Sequence, residues 1–259
     1  MAETPDIILP PKRFHFEWLP KVFFHPRQAF KWVAEQSRPV WLTPMLILSI
    51  TALALVLVTG YLKQQAAMMG ELTLPPDFDY YTPEQQAQFF QAQQATQGPV
   101  FVYILPALAK LAGLWIGWLL VGGLLHLVIT LLGGRGDTGG AMNIVAWSNL
   151  PFAIRDLVRV IAMLVTRRLI ASPGISGLLT PGESTWSALL VSLMGLIDIY
   201  IIWHTILLSI GILSKSGLSK AKAIGGALIT VVIILLLQSL PGLLGAGLGS
   251  LNIVRPFFF

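Results

Sequence analysis

Long apolar runs separated by short polar or glycine-rich stretches dominate this chain. Continuous runs occupy Trp41–Leu62, Leu111–Leu132 within a larger segment 99–132, Trp186–Leu213 and Ala221–Leu240. Each suits a helix crossing a hydrocarbon core about 30 Å thick, which takes about 20 residues. None shows the strict alternation over segments of about ten residues that a membrane β-barrel requires. A weaker run, Phe152–Ala171, follows Pro151 and carries Arg155, Asp156 and Arg159. Proline removes one backbone hydrogen bond and kinks a helix. The pattern therefore predicts an approach helix over Ala141–Leu150 and then a third span over 152–171. The expected fold class is all-α, an integral membrane helical bundle of about five transmembrane helices, with spans near 41–62, 99–132, 152–171, 186–213 and 221–240.

The polar stretches fill in the rest. Residues 1–24 read as a flexible N-terminal tail, with prolines concentrated in Met1–Pro11. His25–Ser37 reads as a short amphipathic helix: Pro26 suits a first turn, and Ala29, Phe30, Val33 and Ala34 share one face. Such a helix is expected to lie at the membrane interface, with Arg27, Lys31, Trp32 and Arg38 as its lipid contacts. The alternative is a helix packed under the bundle. Residues 63–98 form a polar, Gln-rich outer loop, in which Thr82-Pro83-Glu84 opens a short helix. Leu132–Gly140 is a tight glycine turn, and 241–259 a C-terminal tail. The membrane domain is thus expected to cover 25–240.

Composition sharpens the class. Charged residues make up 11% of the chain, hydrophobic residues 55%, and the mean hydropathy is +0.74. A soluble domain carries about 25% charged residues to wet its surface, so lipid is the expected solvent here. Cysteine is absent, which excludes disulfides, thiolate nucleophiles and thiolate-bound metals. No secretory pattern opens the chain, and the first span is expected to act as the targeting signal. The net charge of +5 sits mostly in loops and bears on topology rather than nucleic acid. Twelve of the seventeen Lys and Arg residues fall on one side, with five spans or with four. The expected location is the plasma membrane, multi-pass, with the N-terminus in the cytoplasm.

Candidate chemistry is sparse. Gly134–Gly139 satisfies G-x-G-x-x-G in letters, but no strand precedes it and no βαβ unit follows, so a glycine turn is the reading. Asp77, Asp79 and Glu84 lack EF-hand spacing, and no H-E-x-x-H or G-x-S-x-G occurs. Catalytic, cofactor and metal residues are therefore expected to be none, and an enzyme is not expected. Asp198 stands out inside an apolar run, about 18 Å from Trp186 at 1.5 Å per residue. An intramembrane acid faces the bundle interior with a partner. His126, Arg155 and Arg159 are its candidate partners, in a proton or cation relay, a structural pair or a neutral hydrogen bond. His126 and His204 make a poor metal site without a close third ligand. Gly113-x-x-x-Gly117, and Gly225 with Gly226, offer small faces for helix packing or for a partner subunit.

The order of short motifs resembles the Yip domain family in its prokaryotic form. It runs from Pro26-Arg27-Gln28-Ala29-Phe30, through Trp41 and Pro44, to Gly133-Gly134-Arg135-Gly136 and Ala146-Trp147-Ser148-Asn149-Leu150-Pro151. It closes with Trp203, Gly211 and Gly217-Leu218-Ser219-Lys220-Ala221-Lys222-Ala223. Trp147 stands where the family pattern more often has Tyr, and the Gln-rich loop is a further departure. The resemblance implies five spans, a cytoplasmic N-terminus and no catalytic residues. Eukaryotic relatives act in vesicle traffic beside small GTPases, and some bacterial relatives look like accessory subunits of ABC-class exporters. The expected role is thus a scaffold or accessory subunit whose partners are the lipid bilayer, other membrane proteins such as an ABC transporter, or itself. The alternative is a small transporter or channel with a pathway through Asp198. Convergence of Asp198, His126 and Arg159 on one cavity would favour transport.

Overall fold

A computed structural model describes residues 12–68, 78–179 and 185–251, and for 93–96, 185 and 241–251 the backbone only. The proline-rich start Met1–Pro11, the loop residues Glu71, Pro75–Pro76 and Asp77, and the last part of the C-terminal tail lie outside the described residues. Among the described residues there are helices and no strand. The helices are α1 (Leu19–Phe24), α2 (Pro26–Glu35), α3 (Leu42–Met68), α4 (Pro83–Thr96), α5 (Leu105–Leu131), α6 (Thr138–Ser148), α7 (Leu150–Thr166), α8 (Thr185–Leu196), α9 (Ile199–Ser216) and α10 (Lys220–Leu251). A π-helical turn, Val100–Ile104, leads into α5.

Among the described residues four helices are long and apolar enough to cross a membrane: Leu42–Met68, Val100–Leu131, Ile199–Ser216 and Lys220–Leu240. Leu, Ile, Val and Trp cover them on all sides, as befits segments solvated by lipid outside and by packing inside. The α10 backbone continues as helix to Leu251, past the boundary expected at 240.

The stretch between the second and fourth runs departs from expectation in a way that builds the interior. α6 is no surface approach: all of Ala141 and Asn143–Ser148 is buried. Asp137 starts it by accepting a hydrogen bond from the Gly140 amide, as an N-cap does. Pro151 falls in the first turn of α7, where its missing amide costs nothing, so the chain breaks at Asn149 instead of kinking inside a helix. α7 ends at Thr166 because Arg167 adopts a left-handed conformation (φ 55°), so the helix expected to reach Ala171 stops short. Together α6 and α7 run antiparallel to α9. The Arg135 amide meets the Ser216 carbonyl at 2.8 Å, His204 Nδ1 meets the Ser148 carbonyl at 2.9 Å, and Arg155 reaches Asp198 at the far end.

The N-terminal region is also more built than a flexible tail. Phe16–Trp18 forms a 3-10 turn, α1 follows, and Trp18 and Val22 are buried. The amphipathic helix is present as α2, but Ala29, Phe30 and Val33 are turned into the bundle against α6 and α9 rather than out to lipid. Gly211 makes room: a Cβ there would collide with Ile144 and Phe30. Asn143 and Trp147 clamp the following segment. Asn143 accepts from the Val40 amide (2.9 Å) and donates to the Arg38 carbonyl (3.0 Å), while Trp147 Nε1 donates to the Val40 carbonyl (3.1 Å). Trp147 lies against Trp18, centroids 5.5 Å apart with the rings tilted, in the centre of this inner core.

Candidate functional site

Asp198 sits where the apolar run Trp186–Leu213 is cut in two. α8 ends at Leu196 and α9 begins at Ile199, and Asp198 is the cap between them. Its Oδ1 accepts from the amides of Tyr200 and Ile201, both at 3.0 Å. The first amides of a helix have no partner within it, so a carboxylate at this break is satisfied where one in mid-helix would not be. The single continuous helix expected over 186–213 is thereby corrected to two, α8 and α9. Measured along α9, it lies about 27 Å from Ser216 at 1.5 Å per residue.

The other carboxylate oxygen, Oδ2, faces two guanidinium groups from α7: Arg155 Nη1 at 3.6 Å and Arg159 Nη2 at 3.7 Å. Arg155 Nε lies 3.7 Å from Asp156 Oδ1, and its guanidinium stands 4.7 Å from the centre of the Phe152 ring. Spacing of three to four residues puts Phe152, Arg155, Asp156 and Arg159 on one face of α7. Asp156 is only 4% exposed. Lys110 of α5 joins them within electrostatic reach of Asp156. The ion-pair distances exceed the 2.7–2.9 Å of a charge-assisted hydrogen bond. Arg155 Nε, Asp156 Oδ1 and Asp198 Oδ2 are buried without a hydrogen-bond partner among the described residues.

These side chains border a cavity of about 520 Å³ enclosed by α3, α5, α7, α8, α9 and α10. Lys110, Arg155, Asp156, Arg159, His204 and Gln238 supply its polar wall. Asp198 stands behind the two arginines and does not line it. His204 is buried, bonded to the Ser148 carbonyl and stacked on Phe152, 5.1 Å between centroids. Among the described residues no group of three or more His, Asp or Glu is placed to hold a metal ion.

The remaining candidates divide. His126 lies on α5 away from both cavity and cluster, so its expected convergence with Asp198 does not occur. Gly113 and Gly117 do not bring a helix close: a Cβ at either would meet nothing within 4 Å, and both line the cavity. Gly226 is a close-packing glycine, since a Cβ there would lie 3.0 Å from the Leu132 side chain, whereas Gly225 faces open space. Arg27, Lys31 and Arg38 are exposed, but Trp32 packs inward, 6.1 Å from Trp18 and with Lys21 Nζ 4.1 Å from its ring centre. The sequence pattern does not single out Lys110 and Asp156 as site residues, although Lys110 is the lone charge in segment 99–132 and Asp156 adjoins Arg155.

The family model for the Yip1 domain matches residues 21–240. The chain belongs to the Yip1 domain family. The Yip1 domain therefore takes in the ionic cluster, the cavity and the docked helix α2, and it starts inside α1, within the segment expected to be a tail. Comparisons with curated proteins and with solved structures returned no match.

Proposed function

We propose that this Yip1-domain membrane protein is a non-enzymatic scaffold or accessory subunit of the plasma membrane, N-terminus in the cytoplasm, that binds other membrane proteins. The observation that supports this reading is the use made of Asp198. One oxygen caps α9 and the other faces two arginines, so the acid ties α7 to the α8–α9 junction. A relay carboxylate must exchange its proton freely, and this one is committed to amide donors on one side and guanidinium groups on the other. The outward faces of α3, α5 and α10 stay apolar, with Leu57, Leu120, Leu127 and Leu236 exposed, and suit lipid or the helices of a partner such as an ABC-class exporter. In this reading the α6–α7 pair is the third of five crossings.

A small transporter or channel is the second reading, favoured by the cavity beside the cluster. One experiment separates the two: purification of the tagged chain from native membranes in mild detergent, with identification of co-purifying proteins. A membrane protein recovered at fixed stoichiometry is the expected result. Recovery of this chain alone would overturn the accessory-subunit reading and turn attention to transport.

A further inference from the structure

The cavity has a polar end and an apolar end, and their depths differ. Asp198 is about 27 Å along α9 from Ser216, and Ser216 lies beside Lys215, Lys220 and Lys222 at the opposite face. The ionic cluster therefore lies toward the end of the bundle opposite those lysines, with Leu105, Leu108, Ile161 and Val165 exposed beyond it. The rest of the cavity runs inward from there over Leu48, Trp118, Val121 and Val231.

Charge asks for an occupant. Lys110, Arg155 and Arg159 face Asp156 and Asp198, so one cation of the cluster has no carboxylate among the described residues. Arg155 Nε is a buried donor without a partner, and buried donors are paired as a rule. An anion carrying several acceptor oxygens would satisfy both, and a hydroxyl donor on the same molecule would meet Asp156 Oδ1, which lines the cavity without a hydrogen-bond partner.

The way in is sideways. Ala109 and Gly113 of α5 and Gln238 of α10 are exposed and also line the cavity, which places its mouth between two membrane-crossing helices. Gly113 and Gly117 keep that wall free of side chains. A mouth between two spans meets lipid first, and the volume of about 520 Å³ lies in the ordinary range for a ligand site.

We propose that this cavity binds one anionic phospholipid, entering between α5 and α10. Its phosphate sits against Lys110, Arg155 and Arg159, and part of an acyl chain covers the Leu48, Trp118 and Val121 floor.

The test uses the full chain, purified and delipidated in detergent, with bound lipid counted by native mass spectrometry and stability followed by thermal unfolding. The probes are phosphatidylglycerol, phosphatidylcholine with the same chains, and inorganic phosphate. One retained phosphatidylglycerol per protein with a raised melting temperature is expected, and neither effect from the other two probes. Gly117→Leu fills the cavity without a Cβ clash and should abolish phosphatidylglycerol binding by occupying its space; Arg159→Gln removes one cation and should weaken binding about tenfold or more, as loss of a hydrogen bond to a charged group implies. Gly123→Leu, at an exposed position with open space around its Cβ and outside the cavity, should bind as the parent does. Equal retention of the two lipids would overturn the proposal, as would undiminished binding by Gly117→Leu. Stabilisation by phosphate alone to the same extent would assign the cluster to a soluble anion instead. Because Gly117→Leu leaves every charge in place, the outcome stands even if Arg159→Gln fails to fold.

Discussion

Asp198 is the residue on which the interior turns. Its carboxylate does two separable jobs, capping α9 and balancing Arg155 and Arg159. Asparagine keeps the cap and removes the charge. Taking one partner from a buried ion pair strands the other, at a cost of about 3–5 kcal/mol. Asp198→Asn is therefore expected to lower the unfolding free energy in detergent by an amount of that order. Asp198→Ala should lose about 1 kcal/mol more with the cap. Adding Arg159→Gln to Asp198→Asn should recover part of the loss, since the stranded cation goes too. An Asp198→Asn variant as stable as the parent would mean that the acid is neutral in the fold. The residue's importance was legible in the sequence, as a lone acid in an apolar run. Its partners were legible only in part: Arg155 and Arg159 were candidates, but His126 was as plausible, because spacing says nothing about which helices face each other.

At the scale of elements, α2 shows how an amphipathic pattern underdetermines its environment. Ala29, Phe30 and Val33 demand an apolar contact, and a bilayer interface or a bundle face satisfies that equally. The bundle wins because α6 presents Ile144 and α9 presents Gly211, whose missing side chain admits the Phe30 ring. Gly211→Leu should dislodge α2 while sparing the far ends of the spans. The expected result is faster trypsin cleavage at Lys21, Arg27 and Lys31 in membranes opened to protease, with the rest of the chain protected. Cleavage at the parent rate would mean that α2 is held elsewhere. The break between α8 and α9 carried a local signal too, an Asp just before Ile-Tyr at a helix start. Averaged hydropathy over Trp186–Leu213 hides it, since one acid barely changes the mean of a long apolar window.

At the scale of the molecule, the four helices among the described residues that are long and apolar enough to cross leave the path of α6 and α7 as an issue of topology. Their joint course along the length of α9 suits a third crossing built from two pieces. Absence of cysteine makes the point directly measurable. Lys220→Cys and Arg168→Cys introduce single thiols at exposed positions. With five crossings and the N-terminus inside, Arg168→Cys should react with an impermeant thiol reagent on intact cells, and Lys220→Cys only after lysis. Labelling of Lys220→Cys from outside would sink that topology.

By itself the sequence determined the solvent and the main walls. Too few charges to wet a surface and runs long enough for a bilayer leave a helical membrane bundle as the outcome, and ordered short motifs pointed to the Yip family. These are properties of composition and local period, which do not depend on what packs against what. Only the tertiary structure decided that α2 docks inward, that Asp198 faces arginines rather than a histidine, and that Lys110 and Asp156 share a cavity with them. It also decided that Gly113 and Gly117 hold a space open while Gly211 closes one. A glycine looks the same in both settings, and a charge in an apolar helix announces only that it needs a partner. Which partner it finds depends on helix rotation and crossing, and those are set by the packing of the whole bundle.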